Sequence, residues 1–291
     1  MPSLHKFLIA PIEKPNSQKR VIFWLILSLL FALIYGLVAV QENFSAPYAV
    51  HDDARNYLLW MQQFTNSELL PQDLISRYFQ SITPWGYATL YHLGADLGVE
   101  PLWLSKFLPL PLGLITTVFC FGICLQLFPV PIAGFIASLL LNQNLWLGDD
   151  LISACPRGFL NPLLLAFLYF WLKQSWLPAL ILLGLQGLFY PPAALISLGI
   201  LFLQLWHWKQ GRIRLSNIKH HYWLLMIGLG LTGAILLFYS SASSEFGPVV
   251  NWQQARAMPE FWPGGRSPFF EKNLWNFWIR SAFPLSLNPP L

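Results

Sequence analysis

Long apolar segments alternate with short polar ones along most of this chain. The first apolar run, Val21 to Val40, contains no charged residue. At about 1.5 Å per residue, a helix of that length crosses a hydrocarbon core of roughly 30 Å. Six further runs follow at residues 104–127, 131–147, 159–173, 176–190, 193–208 and 222–240. The pattern predicts an all-α polytopic membrane protein with about seven transmembrane helices.

Several of these runs are shorter than the roughly 20 residues that a spanning helix needs. We expect them to match a thin bilayer, to form tight hairpins or to lie among neighbouring helices. Composition supports a lipid environment, because 55% of the 291 residues are hydrophobic and 10% are charged. A cleaved signal peptide is the alternative for the first run, but no clean small-x-small site follows it.

Charge and cysteine content argue against other classes of protein. The net charge of +4 is modest, and no basic block with interleaved aromatic residues is present. Nucleic acid is therefore not expected as a partner. Three cysteines imply no disulfide framework, and Cys120 and Cys124, one helical turn apart in an apolar run, are interpreted as packing residues.

The distribution of basic residues predicts how the chain crosses the membrane. Lysine and arginine precede the first run and crowd the segment 209–219, so both regions should be cytoplasmic. The six runs between them supply the required even number of crossings only if residues 84–98 do not cross. That segment is short and contains His92 and Asp96, and we interpret it as a juxtamembrane helix in the first external loop. The predicted non-cytoplasmic segments are residues 41–103, 148–158 and 241–291, opposite a cytoplasmic N-terminus of residues 1–20.

Two pairs of carboxylates lie in these external loops. Asp52 and Asp53 are in the first loop, and Asp149 and Asp150 are in the second. A carboxylate at the membrane surface could accept a proton from an acceptor hydroxyl as a general base. Carboxylate oxygens also suit Mg²⁺ or Mn²⁺, so the four aspartates are candidate ligands for a divalent metal.

Two arginines accompany the acidic pairs. Arg55 follows the first pair closely, and Arg157 follows the second. Either guanidinium could bind a lipid phosphate and neutralise it as it leaves. We therefore expect a charged head group to bind at this surface while its lipid tail stays in the bilayer.

Each candidate also has a purely structural interpretation. Asp53, at the start of a predicted helix, could be a helix cap. The pair Asp149-Asp150 could be a solvated turn. Arg157 could be an interfacial anchor, and Arg55 could be an ion-pair partner of the first acidic pair. Similarly, Tyr190-Pro191-Pro192 could line a lipid groove or simply break a helix.

The order of these parts resembles the membrane glycosyltransferases of the C superclass, which use polyprenyl-phosphate-linked sugars. That group includes the protein mannosyltransferases, the lipid A aminoarabinose transferases and the oligosaccharyltransferase catalytic subunit. The resemblance covers residues 21 to about 210 and is one of layout. It rests on an N-terminal span, an external loop opening with HDDARNYLLW (51–60), the entry PWGYATLYHLG (84–94), the run LSKFLPLPLGLITTVF (104–119) and the segment PVPIAGFIASLLLNQNLWLGDDLISACPRGF (129–159).

The resemblance implies sugar transfer from a lipid-linked donor on the non-cytoplasmic face. Its loop-one catalytic aspartate falls on Asp52 or Asp53, of which we favour Asp53, and its second acidic motif falls on Asp149-Asp150. Residues 21–240 would form the transmembrane module. The aromatic and proline-rich segment 241–291 stands where such enzymes usually continue much further, so we expect either a truncated or split gene product or a C-terminal partner that supplies the remainder.

Two other functions stay open at this point. A transporter or flippase should place ionisable residues near the bilayer midplane, often in broken helices or repeats. Here the acids lie outside the apolar runs and no repeat is evident, which favours the transferase. An inactive or partner-dependent membrane fragment would retain the same loop-one acids, so only experiment separates it from the enzyme.

Overall fold

Helices dominate the computed structural model, which describes residues 11, 18–45, 50–69, 72–209, 211–242, 246, 250–265, 269–270 and 275. Every predicted apolar run contains a helix. The α-helices are α1 (Gln18–Asn43), α2 (Asp52–Met61), α3 (Leu74–Ile82), α4 (Trp85–Asp96), α5 (Pro101–Phe107), α6 (Pro109–Leu127), α7 (Pro131–Trp146), α8 (Asp149–Ile152), α9 (Leu160–Leu172), α10 (Trp176–Phe189), α11 (Pro191–Leu203), α12 (Lys219–Ala242) and α13 (Trp252–Ala257). Single 3₁₀ turns cover Gln62–Phe64, Pro156–Phe159 and Pro259–Phe261.

Three helical segments of the described chain are long and apolar enough to cross a membrane: α1, the continuous stretch of α5 and α6, and α12. Helix α1 shows why lipid suits this fold. Its buried face carries the small residues Ser28, Ala32 and Gly36 at every fourth position, which lets α6 and α7 pack closely against it. Its opposite face exposes large apolar side chains such as Ile26 and Ile34, a stripe that water would not stabilise.

The remaining apolar helices are shorter, at 13 to 16 residues. The membrane character of the bundle is thus supported, while the number of seven spans stays a prediction. Helix α10 shows how a short helix is accommodated, because it contacts α4, α9, α11 and α12. Its fully buried Gln186 donates to the carbonyl of Leu163 at 3.1 Å and accepts from the Ser197 hydroxyl at 2.6 Å. This amide therefore joins three neighbouring helices.

The long helices run between two ends of the bundle. At one end, Asn43 at the close of α1 is hydrogen-bonded to His51 before α2 at 2.9 Å. At the other end, the ring of Trp176, which begins α10, lies 5.1 Å from that of His220 near the start of α12. The loops around residues 51 and 190 share the first end, and the basic segment lies at the second. The orientation of these ends across a membrane stays a prediction.

The segment after α11 differs from the prediction. The apolar run 193–208 is helical only to Leu203, and a β-hairpin follows, with β1 (Trp206–Lys209) antiparallel to β2 (Arg212–Leu215). Gly211 has φ +74° in the short connection, a value that tight hairpin turns require and glycine adopts without strain. The all-α prediction therefore needs this exception.

The first predicted loop contains helices α2, α3 and α4, and their position beside a membrane stays a prediction. Within the described chain, residues from 244 onward form a separate compact unit. There, α13 begins with a capping box between Asn251 and Gln254, and Phe270 is buried against the rings of Trp252 and Trp262. Most of the predicted segment 241–291 lies outside the described residues.

Candidate functional site

An open pocket of about 440 Å³ lies at the end of the bundle that carries the first and second predicted external loops. This volume falls within the roughly 300–1,000 Å³ of typical small-molecule sites. Separate segments of the chain bring polar side chains to it. The polar lining residues are Asp53, Asn56, Tyr57, Ser81, Arg157, Tyr190 and Tyr239.

Helix α2 supplies one wall of the pocket. Asp53, Asn56 and Tyr57 are spaced at i, i+3 and i+4 and so share one face of the helix. An adjacent face is buried and includes Ala54 and Leu58. The N-cap position is occupied by His51, whose side chain makes no capping bond. Asp53 is therefore not the cap residue, although a carboxylate in the first helical turn still interacts favourably with the helix dipole.

The turn before α9 presents Arg157. Residues on both sides of it, including Cys155 and Phe159, are buried, whereas Arg157 itself is exposed. Ala154 has φ +48°, a left-handed conformation that costs a non-glycine residue free energy and that the surrounding packing must hold. The buried turn thus fixes the backbone that directs Arg157 toward the pocket.

Tyr57 lies within the electrostatic field of the two charged residues. Burial is the main cause that raises the pKa of Tyr57, and Cys155 and Asp53 raise that pKa further. Arg157 acts in the opposite direction and lowers the pKa of Tyr57. The net shift is upward, so the phenol is protonated at neutral pH and can donate a hydrogen bond to a ligand.

Tyr239, on α12, supplies another wall of the pocket. Its hydroxyl accepts a hydrogen bond from the backbone nitrogen of Trp85 at 2.8 Å and donates to the carbonyl of Leu188 at 3.4 Å. These bonds connect α12 with α4 and α10. Tyr190-Pro191-Pro192, at the break between α10 and α11, lines the same pocket.

An apolar groove of about 330 Å³ adjoins the polar pocket. Tyr239 lines both, so the two cavities meet at this side chain. The groove lies between α10 and α12, where Leu188, Ile235 and Phe238 contribute to its walls. Phe238 is 60% exposed on the outer surface of the bundle. A ligand with a polar head and an apolar tail would fit this combination.

Other predicted residues occupy different positions. Arg55 is exposed on α2 and is not among the described residues that line the pocket. The backbone of Asp149 and Asp150 opens α8, which packs against α6 and α7. Their side chains, like that of Asp52, lie outside the described part of the structure. No group of three or more His, Cys, Asp or Glu side chains within the described part could hold a metal ion, and the divalent-metal prediction stays a prediction.

Sequence reasoning overlooked Lys106, a buried cation at the same end of the bundle. Only 3% of this residue is exposed. It lines a small cavity with His51, which precedes the first acidic pair, and with Ser153, which follows the second. Lys106 therefore lies between these two loops, where a buried lysine requires stabilising neighbours. It is the one charged residue in the run 104–127, a pattern that could have identified it.

The other overlooked residues are Asn56, Tyr57, Ser81 and Tyr239. Helical spacing from Asp53 could have identified the first two. Ser81 and Tyr239 reach the pocket only through tertiary packing. By contrast, His92 and Asp96 form an exposed pair at 3.1 Å outside the pocket.

Fold and site together define a helical bundle of membrane type with an open polar pocket at one end. The chain matches no protein-family model, no curated protein and no solved structure at a significant level. Its function must therefore be inferred from the chemistry of the pocket.

Proposed function

We propose that this protein is a membrane glycosyltransferase that transfers a sugar from a polyprenyl-phosphate donor to an acceptor hydroxyl, with Asp53 as the general base. The observation that carries the proposal is that Asp53 and Arg157, from two different loops, line one pocket beside an apolar groove. A carboxylate and a guanidinium are the two charges that such a transfer needs.

The reaction would be a displacement at the anomeric carbon. The acceptor oxygen forms a bond to that carbon, and the bond from the carbon to the phosphate oxygen breaks. Asp53 takes the proton of the acceptor hydroxyl, a role typically worth 10² to 10⁴ in rate. The bonding electrons leave with the polyprenyl phosphate, whose negative charge Arg157 stabilises through charge-assisted hydrogen bonds.

Uncharged groups of the pocket would hold the sugar. Tyr57 is a protonated phenol, and Asn56 offers an amide on the same face of α2. Such donors and acceptors can bind sugar hydroxyls while leaving the charges to the reacting groups. Because Asn56 and Tyr57 are one helical turn from Asp53, a sugar bound by them would be close to the base.

The apolar groove supports a lipid-linked donor over a soluble one. A lipid tail leaving the pocket beside Tyr239 would follow Ile235 and Phe238 along the surface of α12. Helix α12 is one of the segments able to cross a membrane. The phosphate and sugar would therefore stay in the polar pocket while the tail remains in lipid.

The proposal is tested with membranes containing the full chain and a polyprenyl phosphate carrying tritiated mannose, glucose or aminoarabinose. We expect transferred label and released polyprenyl phosphate in equal amounts. Asp53→Asn should reduce transfer at least about a hundredfold. Asp96→Asn makes the same change of charge at an exposed residue outside the pocket and should leave transfer unchanged. A parallel assay with a chelator tests whether transfer depends on Mg²⁺ or Mn²⁺.

Three outcomes would contradict the proposal. Asp53→Asn could transfer sugar as well as the parent chain. The intact donor could cross the membrane without losing its sugar, which would indicate a flippase. Finally, the parent chain could bind the donor without transfer until a partner protein is added, which would indicate a fragment that is not an enzyme alone.

A further inference from the structure

The hairpin of β1 and β2 has two chemically different faces. In its register, Trp206 pairs with Leu215 and Trp208 with Ile213, while His207 pairs with Arg214 and Lys209 with Arg212. Residues directly opposite each other in an antiparallel pair share a face, and successive residues alternate between faces. One face therefore carries four apolar positions, and the other carries four basic positions.

Both faces are exposed among the described side chains. Trp206 is 45% exposed, Ile213 62% and Leu215 53%. Arg212 and Arg214, on the basic face, are exposed as well. The exposed apolar face is therefore not explained by packing against the helical bundle.

The hairpin is attached closely to the ends of two helices. Strand β1 begins shortly after α11, and β2 ends shortly before α12. The base of the hairpin is closed by a bond from the Ser216 nitrogen to the Leu205 carbonyl at 2.7 Å. Because α12 can cross a membrane, its first residues mark the level at which a bilayer surface would lie. Trp223 and Met226 are exposed there as well, at 66% and 63%.

We propose that this hairpin lies in the bilayer surface and binds anionic lipid head groups. The apolar face, which includes the exposed Trp206, suits the boundary between head groups and acyl chains. The basic face suits lipid phosphates, which attract arginine and lysine near a membrane surface. Charge complementarity and the position beside α12 favour an anionic bilayer over a soluble protein as the partner.

The position of each face is tested by thiol labelling of the full chain in vesicles of phosphatidylcholine mixed with phosphatidylglycerol. A charged, membrane-impermeant maleimide is applied to Ile213→Cys and Arg214→Cys, and the parent chain, with its three cysteines, gives the background. The labelling of each variant is divided by the labelling reached after the vesicles are opened, when the reagent has access to both sides of the membrane. We expect Cys at position 213 to react at least about tenfold more slowly than Cys at position 214. Equal rates would overturn the proposal.

Lipid preference is tested separately by native mass spectrometry of the purified chain, which counts retained phosphatidylglycerol against phosphatidylcholine. The double variant Arg212→Gln/Arg214→Gln should lower the preference for phosphatidylglycerol about tenfold. Arg77→Gln, an exposed arginine on α3 at the other end of the bundle, is the matched control. The proposal would be overturned if the double variant kept the preference of the parent chain for phosphatidylglycerol. It would also be overturned if, in the labelling experiment, position 213 were protected only in native membranes that contain other proteins.

Discussion

Asp53 and Arg157 shift the pKa of Tyr57 in opposite directions, the carboxylate raising it and the guanidinium lowering it. All three side chains line one pocket. In a chain of which 10% is charged, a potential base and a potential phosphate ligand thus line the same pocket as a neutral hydrogen-bond donor. The relationship joins the first predicted external loop to the second, and it is the basis of the predictions for this pocket.

Arg157 should determine affinity for the lipid phosphate. Arg157→Gln removes a charged donor, and hydrogen bonds to charged groups contribute about 1.5–3 kcal/mol. We therefore expect polyprenyl phosphate to bind roughly tenfold to a hundredfold more weakly, as measured by competition against a photoactivatable polyprenyl phosphate in nanodiscs. Arg157→Lys should recover part of the affinity, because lysine keeps the charge but lacks the planar fork. Arg77→Gln is the control, and unchanged binding by Arg157→Gln would contradict the assignment.

Tyr57 should act as a neutral donor over the whole physiological pH range. Since its pKa lies above the ordinary value of 10.0, donor affinity should not change through ionisation of Tyr57 between about pH 6 and about pH 9. Tyr57→Phe removes one neutral hydrogen bond, so affinity for the sugar-bearing donor should fall by about fivefold. Affinity for polyprenyl phosphate without sugar serves as the internal comparison. A similar loss for both ligands would show that Tyr57 binds the phosphate instead of the sugar.

The apolar pattern predicted the helices because a long uncharged run has few alternatives to a helix in lipid. The pattern failed after Leu203 for a specific reason. Tryptophan suits a membrane helix and a strand equally well, so Trp206 and Trp208 extended the apparent helix. The alternation of apolar and basic residues in WHWK and RIRL has the period of a strand. Reading that period would have predicted the hairpin.

Part of the candidate pocket could be predicted from the order of the loops along the chain. The parity argument predicted that Asp53 and Arg157 lie on one side, and the structure brings both to one pocket. Tyr239 could not be identified in this way, because its place depends on how α12 packs against α4 and α10. The left-handed conformation of Ala154, which precedes the turn of Arg157, likewise follows from tertiary packing and has no sequence signature.

Gly86 should be required for the contact between α4 and α10. A Cβ atom at position 86 would lie 2.9 Å from the Cβ of Leu188 and 3.1 Å from its carbonyl oxygen. Gly86→Ala should therefore force the helices apart and cost about 1–3 kcal/mol, seen as a lower Tm in detergent. Gly184→Ala, on α10, is the matched control because nothing lies within 4 Å of its added Cβ. Equal Tm values for the two variants would mean that the contact adapts without cost.

Tyr87 and Tyr91 should make the fold sensitive to alkali. Both are fully buried, and the hydroxyl of Tyr87 donates to that of Tyr91 at 3.3 Å. Burial is the main cause that raises the pKa of each tyrosine above its ordinary value of about 10. Below that value the phenols are protonated in the folded and unfolded chains alike, so stability does not depend on their titration. As the pH rises past about 10, the unfolded chain loses these protons first, and stability should fall until the pH exceeds the folded-state pKa values.

Tm measured from about pH 8 to about pH 12 checks this dependence. The double variant Tyr87→Phe/Tyr91→Phe should lose less Tm between those limits than the parent chain, because it has two fewer phenols to ionise on unfolding. Tyr91→Phe alone should cost more at neutral pH than the double variant, since it leaves the buried Tyr87 hydroxyl without its acceptor. Tyr78→Phe, at a residue that is 43% exposed, should retain the alkaline loss of the parent. Parallel pH profiles for the parent and the double variant would assign the alkaline sensitivity to other groups.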